Sequence, residues 1–327
     1  FISIFKLLHK QQQNKRKNID YVNIYITLIG ILEIISNEMM SNKVNDDKKW
    51  MFEIEKSVLL GVRSLHLNSL NLSQLFASSF HGLQNLIELN LSDNSLCQLP
   101  SQLFACLRSL EYLDLSSNHF ERFDDDTFDS LTSLKVLKLN GNKLNKLDSL
   151  FKSHSSTNLE RLDLANNRIE RIVASSFHCL TALKELKLTG NCLRSFDDKE
   201  TFTRLSRLEY LWLAGNRFET IECHFFSPLC SLKELNMGNN QIVAIDDYAF
   251  VELRALRDLN LSQNKLRNVS ERTLHGLESL RVLHLNQNHL ESVNASAFSS
   301  LKCFEMLSIY SNRFNWRQND SELEQLR

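Results

Sequence analysis

Glycine and proline are scarce in this chain. Its 327 residues include 8 glycines and 2 prolines, so no stretch has the composition of a low-complexity linker. The formal net charge is −1, which gives no basic field of the kind that indicates nucleic-acid binding. No apolar run after Val62 is long enough to span a bilayer. A linker, a basic binding surface and a membrane span are therefore not expected between Val62 and the end.

Signatures of catalysis are also missing. The sequence contains no G-x-x-x-x-G-K-[ST], no G-x-G-x-x-G and no G-x-S-x-G. Its ten histidines are dispersed, and no Cys/His spacing fits a zinc site. The acidic runs at 124–126, 197–198 and 246–247 lack the spaced ligands of a calcium loop, so we interpret them as solvated loops. We predict no enzyme, no cofactor and no metal.

A repeat occupies most of the chain. From Leu86 to Leu107 the sequence follows L-x-x-L-x-L-x-x-N-x-L-x-x-L and then F-x-x-L, and the pattern begins again at Leu110. The units start at Val62, Leu86, Leu110, Leu134, Leu159, Leu183, Leu208, Leu232, Leu256, Leu280 and Phe304. The steps are 24 residues, except for two of 25. Stacked units of this length predict a solenoid, because one unit alone has too small a core to be stable.

Each part of the unit predicts a local structure. L-x-L has period two and predicts a short strand with its leucines pointing inward, while F-x-x-L has helical spacing and closes the outer wall. The asparagine amide can pair with backbone groups of the neighbouring coil, which an apolar side chain cannot do. The predicted asparagine ladder comprises Asn94, Asn118, Asn142, Asn167, Asn191, Asn216, Asn240, Asn264, Asn288 and Asn312. Unit one has Leu70 instead, and in unit four Phe151 falls one place early.

This pattern resembles the leucine-rich repeat family over roughly Val62 to Phe314. The 24-residue length with phenylalanine in the outer half is similar to the typical subtype of animal cell-surface and secreted proteins. The resemblance implies an α/β fold, a curved right-handed solenoid with a parallel sheet on its concave face. That handedness agrees with the general rule for parallel crossovers. The resemblance also implies protein binding, as in Slit-like, Toll-like and hormone-receptor ectodomains.

The domain organisation follows from the repeat. Residues 62–316 form about eleven repeats, and 317–327 are a polar tail that could be truncated. Residues 50–61 are predicted to add a capping strand. In residues 1–49 a basic stretch precedes the apolar run 24–32, which is the layout of a signal or signal-anchor. No small-x-small cleavage site follows, so a disordered or mistranslated leader stays open. Because the first residue is not Met and the last lies within a repeat, we expect a fragment or a frame translated past its true start.

The seven cysteines are scattered through the repeats. They are Cys97, Cys106, Cys179, Cys192, Cys223, Cys230 and Cys303. An odd count rules out complete pairing within the chain, although Cys97 with Cys106 and Cys223 with Cys230 each share one coil. We favour mostly free thiols. Extracellular members of the resembled family usually carry cysteine clusters at both ends, which this chain lacks.

The candidate binding residues are those that project from the concave sheet. They are Tyr112, Asp114, Lys138, Arg161, Asp163, Lys187, Tyr210 and Trp212. Asp114, Lys138, Asp163 and Lys187 alternate in sign along the sheet, as either a solvated charge ladder or a charged docking strip. Tyr210 and Trp212 have no core to fill on this face, and such aromatics are common interface anchors.

Six N-x-S/T sequons occur, a number close to chance for this composition. They lie at Asn71, Asn90, Asn260, Asn268, Asn294 and Asn319. If Asn90 and Asn260 carry glycans, docking is confined to the strands from Asp114 to Asn236.

The sequence thus predicts a protein-binding module, part of the ectodomain of a secreted protein or cell-surface receptor. Its partner would be a protein ligand or co-receptor, with no nucleic acid, and membrane attachment would come only from the leader or from a segment missing here. One alternative is a cytoplasmic scaffold or enzyme-regulatory subunit with free thiols. Another is a matrix or adhesion protein that self-associates, for example as a homodimer.

Overall fold

The computed structural model describes residues 60–147, 158–196, 200–223, 225–293 and 295–314. In these ranges one parallel sheet of eleven strands, arranged in chain order, runs through the molecule. Its strands are β1 (Ser64–His66), β2 (Glu88–Asn90), β3 (Tyr112–Asp114), β4 (Val136–Lys138), β5 (Arg161–Asp163), β6 (Glu185–Lys187), β7 (Tyr210–Trp212), β9 (Glu234–Asn236), β11 (Asp258–Asn260), β12 (Val282–His284) and β13 (Met306–Ser308). A second sheet pairs β8 (Thr220–Ile221) with β10 (Ala244–Ile245) in parallel. The predicted solenoid with a parallel sheet is confirmed.

The leucine pattern builds the core. In the main sheet the central residue of each strand from β1 to β12 is buried, as in Leu89 and Leu137, and Leu307 of β13 is half-buried. Most residues on either side reach solvent, whereas Asp114 is buried. Strand pairing joins equivalent residues of successive units, so Leu89 lies opposite Leu113 and Leu113 opposite Leu137. Buried side chains from Val62 to Leu301 form one continuous apolar cluster. The stacking of units therefore supplies the core that a single unit lacks.

The outer wall consists mainly of turns. In the described ranges the helices that cover it include the 3-10 helices Ala174–Phe177 and Ala295–Phe298. The F-x-x-L spacing closes one turn by an i to i−3 bond, as from the Leu107 N–H to the Phe104 carbonyl at 2.9 Å. Inside this wall Phe80 stacks on Phe104 at 6.2 Å, and Phe104 on Phe128 at 6.3 Å. The phenylalanine column thus ties neighbouring coils together.

Several predictions fall on residues that the structure does not describe. They are the leader at 1–49, nearly all of the capping segment 50–61, the tail at 317–327 and the irregular Phe151 of unit four. Within the part of the chain that is described, no helix combines the length and apolar composition needed to cross a bilayer.

Candidate protein-binding face

Two ladders of side chains line the solvent face of the main sheet. The inner ladder, at the third residue of each strand, is His66, Asn90, Asp114, Lys138, Asp163, Lys187, Trp212, Asn236, Asn260, His284 and Ser308. The outer ladder, at the first residue, is Ser64, Glu88, Tyr112, Val136, Arg161, Glu185, Tyr210, Glu234, Asp258, Val282 and Met306. All eight candidate binding residues lie on these ladders, about 4.8 Å apart from strand to strand.

The asparagines of the repeat lie behind this face and bind the backbone of two coils. In Asn118, Oδ1 accepts the Leu96 N–H of the preceding coil at 3.0 Å, and Nδ2 donates to the Leu91 carbonyl of that coil at 3.0 Å. Nδ2 also donates to the Leu115 carbonyl of its own coil at 3.2 Å. Each of the ten ladder asparagines has this pattern. Their role is structural.

Tyr112, Asp114 and Lys138 form a closed cluster. The Tyr112 hydroxyl donates to Asp114 Oδ2 at 3.1 Å, and Lys138 Nζ lies 3.6 Å from the same oxygen and 5.2 Å from the centre of the Tyr112 ring. Asp114 is buried, and its Oδ1 accepts the Ser116 N–H at 2.9 Å. Burial raises the pKa of Tyr112. The hydrogen bond between the Lys138 ammonium and the Tyr112 phenol raises the pKa of Lys138. The polar groups of these three side chains are therefore paired with one another.

The charged residues that lie between Tyr112 and the Tyr210–Trp212 pair also contact neighbouring groups of the chain. Arg161 Nε lies 3.5 Å from Glu185 Oε1 on the next strand. Asp163 Oδ1 accepts the Ala165 N–H at 3.0 Å. Lys187 Nζ lies 5.0 Å from the centre of the Trp212 ring. Of the sign-alternating series, the Asp114–Lys138 step is an ion pair, whereas Lys187 contacts an aromatic ring.

Tyr210 and Trp212 form a stacked pair on β7. Their ring centres lie 5.7 Å apart with an angle of 12° between the planes. The Trp212 indole N–H donates to Glu234 Oε1 of β9 at 2.6 Å. Both side chains are half-buried. The pair is therefore held in a fixed pose, with Lys187 on one neighbouring strand and Glu234 on the other.

Sequence reasoning missed a turn at the end of the strands. Asn90 Oδ1 accepts the Ser92 N–H at 2.9 Å, and Asn260 Oδ1 accepts the Ser262 N–H at 2.9 Å, in the same way as the carboxylates of Asp114 and Asp163. An Asn or Asp side chain that bonds two residues onward stabilises such a turn. The recurrence of Asn/Asp-Leu-Ser in the sequence was the available signal.

This turn bears directly on two of the sequons. In Asn90-Leu91-Ser92 and Asn260-Leu261-Ser262 the serine hydroxyl donates to the asparagine Oδ1 at 2.7 Å. Both sequons thus have a structural reason to be present that is independent of glycosylation. Asn71 and Asn268 are exposed, while Asn294 and Asn319 lie outside the described residues.

A charge ladder was also missed, one residue before the strands. Lys135 Nζ lies 2.9 Å from Glu111 Oε2, Lys184 Nζ 3.1 Å from Glu160 Oε2, and Lys233 Nζ 2.6 Å from Glu209 Oε2. Signs alternate over six successive units at this position, and three of the steps are ion pairs. Such exposed pairs favour the observed register but contribute only about 0.2–1 kcal/mol each.

All seven cysteines are free thiols. Cys179 is buried, and Cys106 Sγ donates to the Phe80 carbonyl at 3.0 Å. Burial raises the pKa of both thiols, which disfavours the reactive thiolate. The pairings considered within single coils are not formed. Among the described residues no group of three or more His, Cys, Asp or Glu side chains is placed to hold a metal ion.

The family is decided by the repeat itself. The sequence model described as leucine rich repeat matches eight overlapping segments, 61–120, 113–156, 145–193, 157–218, 195–242, 206–266, 230–290 and 259–314. The chain belongs to the leucine-rich repeat family. A comparison with curated proteins gave no match.

Solved structures give the same architecture. Toll in the Toll–Spatzle complex, described as a molecular hub in Drosophila development and innate immunity, has a TM-score of 0.74 at 24% identity over 81% of this chain. TLR13 in its complex with ssRNA13 has 0.59 at 24% over 82%, and the APL1 leucine-rich repeat domain has 0.61 at 22% over 83%. The match covers 35% of the Toll chain, 51% of the TLR13 chain and 73% of the APL1 chain. At these identities the likeness concerns the fold.

Proposed function

We propose that this chain is a protein-binding module of a secreted protein or cell-surface receptor, and that it holds a protein ligand or co-receptor on its concave face. The observation that carries the proposal is the stacked pair of Tyr210 and Trp212, half-exposed on the seventh of eleven strands. Aromatic anchors held in a fixed pose lose little side-chain entropy on binding. The likeness to Toll, whose solved complex contains Spatzle, supports the same interpretation.

Binding, and not catalysis, is the proposed activity. The concave face presents polar and aromatic side chains that contact other side chains of the same sheet. Ser64 Oγ lies 2.8 Å from His66 Nε2 on β1, but this contact is exposed, and the same hydroxyl donates to Glu88 Oε2 at 3.0 Å. The ligand would be recognised by shape and by a few central contacts, as in other protein interfaces. Neither a cofactor nor a metal enters the proposal.

A protein is favoured over a nucleic acid because of the charges on the two ladders. The six carboxylates on them are Glu88, Asp114, Asp163, Glu185, Glu234 and Asp258. The three cations are Lys138, Arg161 and Lys187. An excess of negative charge repels a phosphate backbone. TLR13 is similar in fold and was solved with RNA, so the preference for a protein ligand rests on the charge of this chain's own face.

The first test removes the aromatic pair. The tagged chain is incubated with animal cells and crosslinked to the proteins that it binds there. The recovered partners are compared for three chains: the unchanged sequence, the concave variant Tyr210→Ala with Trp212→Ala, and a control that carries Val243→Ala with Tyr248→Ala. The control residues are exposed but lie outside the two ladders. We expect a partner that is recovered with the unchanged chain and the control and lost with the concave variant, at equal thermal midpoints. Equal recovery by all three would contradict the proposal.

A second candidate, a cytoplasmic scaffold or regulatory subunit, is favoured by the seven free thiols. The full reading frame with its genuine 5′ end should be expressed in animal cells, and medium and lysate treated with glycosidase. A shifted band in the medium or at the surface supports the receptor. An unshifted cytosolic band with reactive thiols supports the scaffold. Light scattering on the purified chain tests the further alternative of self-association.

A further inference from the structure

We infer that the concave face around β7, β9 and β11 accepts a lysine or arginine side chain from a basic segment of the protein partner. We call this region the acidic–aromatic face and define it as Tyr210, Trp212, Glu234 and Asp258. The inference rests on the proposed function and specifies the chemistry of the ligand. The partner's cation would lie over the Tyr210 ring and between the two carboxylates.

The strand register brings these groups together. Tyr210 lies directly opposite Glu234, and Glu234 directly opposite Asp258, on three neighbouring strands. A ring and two carboxylates therefore occupy consecutive positions of the outer ladder, about 4.8 Å apart. Trp212 continues the aromatic surface on the same strand as Tyr210. The four side chains form one patch that a single long cationic side chain can touch.

Among the described residues the two carboxylates have no lysine or arginine partner. In the described residues no ion pair joins a lysine or arginine to Glu234 or Asp258, and Glu234 uses one oxygen to accept the Trp212 N–H. The nearby cations contact other groups: Lys187 the Trp212 ring, Arg161 the Glu185 carboxylate, and Lys233 the Glu209 carboxylate. The patch therefore carries negative charge that the chain does not neutralise by a direct contact.

Like charges opposite each other on neighbouring strands are destabilising. Both carboxylates are half-buried, which strengthens their repulsion relative to a fully solvated pair. Burial raises the pKa of Asp258, His284 on the next strand lowers it, and Glu234 raises it. A cation placed between the carboxylates would remove this repulsion. A bound basic side chain would therefore also stabilise the face.

The aromatic pair favours an organic cation over a metal ion. Lys187 already lies 5.0 Å from the centre of the Trp212 ring, a cation–π contact within the chain. An ammonium or guanidinium group binds both a ring face and a carboxylate, whereas a divalent metal needs several oxygen ligands. Among the described residues no third metal ligand joins Glu234 and Asp258. The chemistry of the patch thus fits lysine or arginine.

The test uses a random dodecapeptide phage library panned against the full chain, with three variants. Glu234→Gln with Asp258→Asn removes both charges, and glutamine still offers an oxygen to the Trp212 N–H. Glu88→Gln with Asp93→Asn is the matched control, with the same change in net charge at β2 and the turn that follows it. Tyr210→Ala with Trp212→Ala removes the aromatic surface.

We expect peptides that require the aromatic pair and are enriched in lysine and arginine. Synthetic copies should bind the Glu234→Gln, Asp258→Asn variant at least tenfold more weakly and the matched control equally well, with affinity that falls as salt rises. Peptides that require Tyr210 and Trp212 but show no basic enrichment, or that bind the charge variant equally, overturn the inference and leave the proposed function standing. If no peptide depends on the aromatic pair, the proposed function fails as well.

Discussion

The indole N–H of Trp212 donates to the carboxylate of Glu234 across two neighbouring strands at 2.6 Å. This bond fixes the rotation of the indole about its side-chain bonds, because the indole N–H points to the Glu234 carboxylate in only one orientation of the ring. Together with the stacked Tyr210 ring, it makes the aromatic pair a pre-organised contact surface. Glu234 thus both orients Trp212 and supplies negative charge beside it.

The first prediction concerns that orientation. Glu234→Ala should weaken the near-ultraviolet circular dichroism of tryptophan, because the freed indole samples several rotamers. Glu234→Gln should preserve the signal, since its amide oxygen accepts the same N–H. Trp50 and Trp316 contribute equally to all spectra, so difference spectra against Trp212→Phe isolate the residue of interest. Identical spectra for the alanine and glutamine variants would show that the bond does not hold the ring.

The second prediction concerns the asparagine ladder. Asn142 donates to the Leu115 and Leu139 carbonyls, both at 3.0 Å, and accepts the Phe120 N–H at 3.1 Å. Asn142→Ala leaves these backbone groups buried without that partner and should lower the free energy of unfolding by about 2–5 kcal/mol, measured in urea. The exposed Asn145→Ala, three residues on, is the control and should change it by less than about 0.5 kcal/mol. Equal losses of unfolding free energy in the two variants would contradict the structural role of the ladder.

The third prediction concerns a glycine in the outer wall. Gly276 has a φ of +92°, and a Cβ on it would lie 2.4 Å from the Val251 carbonyl oxygen of the preceding coil. Because that oxygen belongs to backbone, Gly276→Ala should destabilise by about 2–4 kcal/mol or prevent folding. Gly61→Ala is the control, since no atom lies within 4 Å of its added Cβ. Thermal unfolding of both variants checks the difference, and a Gly276→Ala chain as stable as the control would refute the packing described.

The fourth prediction concerns pH. The pKa of Asp258 is raised in the folded chain, so the folded state binds more protons than the unfolded state between the ordinary and the raised value. Stability contributed at Asp258 therefore falls as pH rises through that window. Asp258→Asn should raise the thermal midpoint at neutral pH by about 1–3 °C, because it removes the burial cost of the charged carboxylate and, to a lesser extent, its repulsion with Glu234.

The same substitution should lose its benefit in acid, below the ordinary carboxyl pKa, where aspartic acid is neutral as well. Glu88→Gln serves as the control, because Glu88 accepts the Ser64 hydroxyl at 3.0 Å and has His66 Nε2 at 3.6 Å. Its replacement by glutamine keeps an oxygen for the Ser64 hydroxyl but removes the negative charge beside His66, so it should give no increase at neutral pH. A thermal midpoint of the Asp258→Asn variant below that of the unchanged chain at neutral pH would contradict a destabilising Asp258 charge.

The repeat spacing alone predicted the sheet and its ladders, because period two and a 24-residue step determine which side chains face solvent. It placed Tyr112 and Trp212 on the same face, as the structure does. It did not predict that Tyr112 contacts Asp114 and Lys138, or that Trp212 stacks on Tyr210 and donates to Glu234. Spacing fixes a position along the chain, whereas those contacts depend on rotamers and on neighbouring strands.

The missed features share a physical cause. The role of Asn90 as a turn cap depends on one hydrogen bond from Ser92, two residues onward, which gives the sequon a structural explanation besides that of a glycan acceptor. The ion pair of Glu111 with Lys135 lies one residue outside the strands, beyond the positions expected to matter. Both were visible as recurring letters, but only the geometry separates a local structural role from an exposed one.

The direction of the asparagine bonds has a consequence for synthesis of the chain. Asn118 binds the backbone of the coil before it, and Asn142 does the same for the coil of Asn118. A coil that has just left the ribosome therefore waits for its successor to supply the asparagine that completes its hydrogen bonds. Folding would trail translation by about one repeat, and a ribosome that stalls within the solenoid would leave its newest coil unfinished.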